Sequence, residues 1–409
     1  MKHIIHVTAL VALAATAQAQ LLLTANTGQS RLTALSPIDG HVVIANVFPL
    51  VNTAQVSAID VNGEIWISEQ TGDRITRRDL AGNILGVIGP TFPGGGLDNI
   101  RGMAFVNGVV YVTNAGTANG APGANAIVCF DSTGNWLFNF LTTGTAPSPF
   151  SVMPFQGDIL VSSSSGTDDV HRFTTAGVSV GTFHNSTSLA FAHQLAPASD
   201  GNVWCGGFTT GGIVKLDATT GALLSSFTAP GCRGVHELAN GNLLWTSSSG
   251  AHIYDITTST STTVVTGACY HLNLYAATTA TASPFGTGCD GLGLVANGLP
   301  QLGNTTFGLD LTNVPVVSPV GFVAAGTAPV NPGIDLTVIG MPGCFGYTTF
   351  DIGLFSSGPV VGGTSSFPLA IPAVLSLNGT VLAMQGVSLS LFTPSLLATS
   401  NGVTLTLGK

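Results

Sequence analysis

Residues 191–217 read FAHQLAPASDGNVWCGGFTTGGIVKLD. The runs HQLAP, NVWCGGF and GIVKLD, and ALLSSF just after them, are short and β-rich, with Ser-Asp-Gly, Thr-Gly-Gly and Thr-Thr-Gly between them. Branched and aromatic runs punctuated by such triplets predict strands joined by turns. The central phrase SDGNVWCG, around Gly201, has four relatives: VNGEIWIS around Gly63, VNGVVYVT around Gly108, FQGDILVS around Gly157 and ANGNLLWT around Gly241. The intervals are 45, 49, 44 and 40 residues. A second glycine follows the first four at Gly82, Gly134, Gly177 and Gly221, at offsets of 19, 26, 20 and 20. Two turns that repeat in step at this period predict the blades of a β-propeller.

The details fit four strands per repeat. The longer offset of 26 is explained by the insertion TANGAPGANA at 117–126, between two middle strands. Trp66, Tyr111, Leu160, Trp204 and Leu244 recur on the second strand and are expected to pack between blades. The segment LLLTANTG at 21–28 resembles a second strand with no first strand before it, and ACYHLNLY at 268–275 is an orphan strand. Pairing the two closes a ring of six blades without an open sheet edge. Residues 276–283 (AATTATAS) read as a linker, and 284–409 alternates apolar and polar in runs such as TTFGLDLT and GVTLTLGK. The expected fold class is therefore all-β: a six-bladed propeller over 20–275 and an antiparallel β-sandwich over 284–409.

Residues 1–19 read as a signal peptide, with Lys2, an apolar stretch over 4–15 and the cleavage signal Ala17-Gln18-Ala19. The expected location is secreted, cell-surface or periplasmic. Charged residues make up 7% of the chain, against roughly a quarter in ordinary soluble proteins. The net charge of −9 becomes −9 − 1 = −10 without Lys2, and no basic stripe exists to meet nucleic acid. No later apolar run is long enough for membrane insertion. Of six cysteines, Cys289 and Cys344 flank tight glycine turns (GTGCDG and MPGCFG) and are expected to form a disulfide. Cys205 reads as a small buried hydrophobe, while Cys232 and Cys269 are candidates for a bond across the channel rim.

Inner strands carry the residues that face a propeller's channel. Aligning the apolar anchors Met103, Met153, Leu195 and Leu238 places Arg101, Ser151, His193 and His236 at one level, with Tyr270 and His271 beside them. Imidazoles converging from separate strands can hold zinc or another divalent metal. His193, His236 and His271 are the candidate ligands, Arg101 the candidate stabiliser of negative charge and Tyr270 the candidate proton carrier. The alternative is that these residues line a wet channel. Asp73 and the pair Asp168-Asp169 read as solvated turn residues.

The stretch at 191–217 resembles the blade consensus of NHL-type six-bladed propellers, the group that includes streptogramin lyases, gluconolactonase-like hydrolases and peptidyl-hydroxyglycine amidating lyases. The amidating-lyase resemblance implies zinc held by histidines at positions like those of His193 and His236, completed by an Arg and a Tyr. The lactonase pattern has an early Glu ligand, whereas this chain has no acidic residue before Asp39. The segments FGTGCDG, GLPQLGNTTFGLDLTNVP, IDLTVIGMPGC and SNGVTLTLGK resemble a C-terminal module of secreted bacterial proteins, which implies sorting, attachment or display. Two functions follow as expectations. One is a monomeric binding protein for an extracellular glycan, peptide or envelope protein, with no cofactor. The alternative is a metal-dependent lyase acting in the channel.

Overall fold

The structure, a computed structural model, describes residues 20–51, 54–142, 144, 146–164, 169–210 and 212–409. The expected signal segment and Asp168 lie outside the described residues.

Among the described residues of 20–276 the chain forms six four-stranded antiparallel sheets and one two-stranded ladder, Thr91–Phe92 with Gly95–Gly96. The first is composite: Asn273–Ala276 lies innermost and pairs with Gln20–Asn26, followed by Arg31–Leu35 and Val42–Pro49. The inner strands of the second to sixth sheets are Gln55–Val61, Ile100–Val106, Pro149–Phe155, Ala190–Pro197 and Gly234–Glu237, and each is followed outward by three strands in chain order. The inserted residues 117–126 fall where expected, between Val109–Asn114 and Ala126–Asp131.

The recurring glycine ends the tight turn between the first two strands of the second to sixth sheets. At Asn62-Gly63, Asn107-Gly108 and Gln156-Gly157 both central residues have positive φ, the geometry of a two-residue hairpin turn that matches strand twist. A Cβ at Gly63 would meet nothing within 4 Å, so glycine is required there for its backbone freedom and not for space. At Gly201 and Gly241 the turn is one residue longer, closed by bonds from Ala198 N to Asn202 O and from Leu238 N to Asn242 O.

Alternation along the second strand builds the core. Ile65 and Ile67 face the first sheet while Trp66 faces the third, as period-two geometry dictates. Tyr111 packs between the third and fourth sheets, Leu160 between the fourth and fifth, Trp204 between the fifth and sixth, and Leu244 between the sixth and first. Each neighbouring pair of sheets thus shares an apolar cluster.

The remaining chain forms a five-stranded sheet (Thr281–Phe285, Leu397–Thr406, Val381–Leu389, Val320–Gly326, Gly353–Pro359), a three-stranded sheet (Gly293–Ala296, Gly308–Thr312, Ser365–Pro368) and a hairpin of Pro329–Asp335 with Phe345–Thr348. Leu309 and Leu311 of the smaller sheet share a core with Val323, Met384 and Val403 of the larger. That core is continuous with the one between the first and second propeller sheets. The strand Thr281–Phe285 starts inside the segment expected as linker, because its backbone is paired with Leu397–Thr406. Cys289 and Cys344 are disulfide-bonded, with Cα atoms 5.0 Å apart.

Two cysteine and acid expectations are corrected. Cys232 and Cys269 are both free and buried. Cys232 packs between the fifth and sixth sheets and Cys269 between the sixth and first, so the sixth sheet stands between them. Asp169 is not a solvated turn residue: it is fully buried, and its Oδ2 accepts from Ser186 N at 2.7 Å. No helix among the described residues is long and apolar enough to cross a membrane.

Candidate functional site: one mouth of the propeller channel

Strand pairing sets which inner-strand residues share a level. The residue four places after each turn glycine pairs with Ala58, Met103, Val152, Leu195 and Val235. Two residues back from these stand Val56, Arg101, Phe150, His193 and Arg233. Phe150 and Arg233 therefore occupy the level that the anchors Met153 and Leu238 assigned to Ser151 and His236. Those anchors are one and three residues out of register. Counting back from the turn glycine, with one residue added for the longer turns, recovers the level from sequence.

At this level the side chains form a stacked column. The Arg101 guanidinium lies over Phe150 at 4.8 Å. His193 stacks on Phe150, with centroids 3.7 Å apart, and on Phe208 at 4.9 Å. Arg233 lies over Phe208 at 5.8 Å and over Tyr270 at 4.3 Å. His271 is 5.8 Å from Phe150. Below the column Gln194 spans the channel, donating to Leu272 O at 2.5 Å and accepting from Leu272 N and Val235 N at 2.7 and 3.2 Å. Asn273 completes the belt by donating to Ser57 Oγ and Ala58 O, both at 3.1 Å.

The inner-strand backbone is held at this level by a hydroxyl relay. Five places after the turn glycine, Ser68 donates to Arg101 O, Thr113 to Phe150 O, Ser162 to His193 O and Thr246 to Tyr270 O. Three of these bonds are 2.5 to 2.6 Å long, and that of Thr113 is 3.4 Å. The fifth position is Gly206, where the Cys232 sulfur lies 2.9 Å from where a Cβ would stand. The signal is visible in the repeated phrases, which end in Ser, Thr, Ser, Gly and Thr, and sequence reasoning passed over it.

Electrostatics at the mouth are one-sided. Arg101 is 9% exposed, and its Nη1 bonds only neutral groups, Ser148 O, Ser148 Oγ and Ser164 Oγ at 3.0 to 3.3 Å. Burial lowers its pKa to about 10. Among the described residues no carboxylate pairs with Arg101 or Arg233, and the buried Arg101 Nε and Arg233 Nη1 have no hydrogen-bond partner. Burial also holds His193 well below its usual value, with the charges of His271, Arg233 and Arg101 adding to the effect. The Arg233 main chain approaches the His193 ring, but neither ring nitrogen makes a bond of hydrogen-bond geometry. Burial brings His271 down to about 3. Both imidazoles are neutral at pH 7.

His236 is elsewhere. It lies on the late half of its inner strand, beside a cavity of ≈ 300 Å³ at the other end of the channel, together with Met153, Leu195 and Leu274. Burial lowers it to about 4. Its neighbour Glu237 accepts from Trp204 Nε1 at 2.7 Å. The structure thus gathers His193, His271, Arg101 and Tyr270 and leaves His236 out. Among the described residues no three His, Cys, Asp or Glu side chains form a metal-ligand set. The zinc site implied by the amidating-lyase resemblance does not fit these residues, and no reaction step is derived through it.

No family model matches the sequence, and no curated protein does. Solved structures do match. A chain of the nidogen/laminin complex is 13% identical with a TM-score of 0.50, over 62% of this chain and 98% of that one. A protein of unknown function from Bacteroides caccae is 15% identical (TM-score 0.47, 62% and 98% covered). Virginiamycin B lyase from Staphylococcus aureus is 16% identical (TM-score 0.38, 63% and 80% covered). At such identities the first of these speaks to the fold alone, and it agrees with the six sheets: the N-terminal part of this chain is a β-propeller.

Proposed function

We propose that this is an exported binding protein whose propeller meets an acidic ligand at the Arg101–Arg233 mouth of the channel. In this reading the six sheets are the blades of a ring closed by Asn273–Ala276, residues 1–19 are a cleaved signal, and 284–409 is an attachment or sorting module. The disulfide Cys289–Cys344 supports an oxidising compartment. One observation carries the reading: two guanidiniums at the ends of an aromatic column, neither paired with a described carboxylate. Buried cations without counter-charge are costly, and an anionic group on a glycan, peptide or envelope protein would relieve that cost. The test is a glycan and acidic-peptide array probed with the full secreted chain. Retention of uronate, sulfate or carboxylate-rich ligands by the wild type, with loss in Arg101→Ala, Arg233→Ala, is expected. No retention of any acidic ligand, or equal retention by the double variant, would remove the proposal.

A further inference from the structure

The cavity of ≈ 300 Å³ at the far end of the channel has mostly apolar walls: Met103 and Phe105 from the third sheet, Met153 from the fourth, Leu195 from the fifth and Leu274 from the closing strand. Met103, Met153 and Leu195 are almost fully buried, but Leu274 is 38% exposed although its strand is the innermost of its sheet. A second cavity, of ≈ 600 Å³ and reaching the C-terminal unit at Thr279 and Gln301, shares Pro197, His236 and Leu274 with the first. The two spaces therefore meet at His236 and Leu274. Apolar concavities of this size with a few polar groups are the usual form of small-molecule sites.

The polar side chains around the smaller cavity are committed, with one exception. Gln194 and Asn273 form the belt across the channel. Asp60 accepts from Gly63 N at 2.8 Å and from Ala276 N at 3.1 Å. The exception is His236: among the described residues neither ring nitrogen has a hydrogen-bond partner, and neither is sealed from open space. Burial keeps the ring neutral, so it has one N–H to give and one lone pair to receive. The same burial penalises any net charge brought beside it. The carboxylates of Asp60 and Glu237, one on each wall, add repulsion against an anion.

We propose that the far end of the channel binds an uncharged aliphatic alcohol, its hydroxyl on the His236 ring and its chain along Leu274, Met153 and Leu195. The site is separate from the Arg101–Arg233 mouth, and its test leaves both arginines in place. 1-Octanol, octanoate and 1-fluorooctane, which keeps the shape and lacks the hydroxyl, are titrated into the full chain. Saturable binding of octanol is expected, with 1-fluorooctane and octanoate each about ten-fold weaker or more. His236→Phe should remove the preference for octanol over 1-fluorooctane. Leu274→Trp, at an exposed wall position, fills the space and should weaken octanol about ten-fold or more even if His236→Phe fails to fold. No saturable octanol binding by the wild type overturns the proposal, as does octanoate or 1-fluorooctane binding as tightly as octanol. So does a preference for octanol that survives in folded His236→Phe, or an octanol affinity unchanged by Leu274→Trp.

Discussion

Acid should destabilise this protein well before its carboxylates titrate, and His271 provides the measurable case. The imidazole is 2% exposed, and burial holds it at about 3, against 6.5 for an unperturbed histidine. In the unfolded chain it takes its proton near the unperturbed value. Between those two values the unfolded state binds one proton more than the folded state, so stability falls as pH falls. The contribution is complete above 6.5 and is lost on descent toward 3. The slope is about 1.4 kcal/mol per pH unit for one such group. His193 and His236 are shifted in the same direction and add to it. Depressed carboxylates such as Asp200, held down to about 2, act in the same sense but at lower pH. The interval from pH 5.5 to 4.5 therefore reads mainly the histidines. Urea denaturation of the wild type and of His271→Gln at pH 7, 5.5 and 4.5 measures the effect. The variant should show a slope in that interval shallower by about 1.4 kcal/mol per pH unit. Identical slopes in the two proteins, or a wild type equally stable at pH 7 and 4.5, would refute the reasoning.

Removing the disulfide by Cys289→Ala, Cys344→Ala opens a loop with a sequence separation of 55. Chain entropy sets the loss of stability at about 4 kcal/mol, readable as a fall in the urea midpoint of the C-terminal unit, and a fall of less than about 1 kcal/mol would contradict it. Ser162→Ala strands the buried His193 carbonyl and should cost about 1–3 kcal/mol by the same assay, whereas a neutral effect would show that the hydroxyl relay carries no energy. Trp66→Ala empties a fully buried site between two sheets and is expected to cost about 3–5 kcal/mol; a change within 1 kcal/mol would mean that the sheets repack freely. Metal analysis of protein purified without chelator should give the same content for the wild type and for His193→Ala, His236→Ala. Metal that is present in the first and lost from the second would restore a shared ligand set.

The repeated phrase made the sheets legible because turn chemistry and strand alternation are local. Asn-Gly and related pairs fix the hairpins, and period two then decides that Trp66 and Ile67 face opposite neighbours. The intersheet role of Trp66, Tyr111, Leu160, Trp204 and Leu244 was readable for the same reason, whereas the pairing of Cys289 with Cys344 was readable because no other cysteine follows residue 276. The mouth was only half readable. Arg101, His193, His271 and Tyr270 were found, but His236 was placed with them through an anchor three residues out of register. Arg233, Phe150 and Phe208 were missed.

The difference lies in which forces act along the chain and which act across it. Strand identity, facing and turn position follow from neighbours one to four residues apart, so residues 191–217 and their relatives sufficed to specify a blade. The level of a side chain in the channel depends on pairing register, which a single extra turn residue at Gly201 or Gly241 shifts. The company it keeps depends on how sheets pack around a common axis. Only that packing sets His193 against Phe150, leaves two guanidiniums without a carboxylate among the described residues, and sends His236 to the far end beside a cavity shared with the C-terminal unit. The His193–Phe150 stack joins two sheets, and even Phe208, on the strand next to that of His193, is brought to it by pairing across the sheet, so no local pattern encodes these contacts.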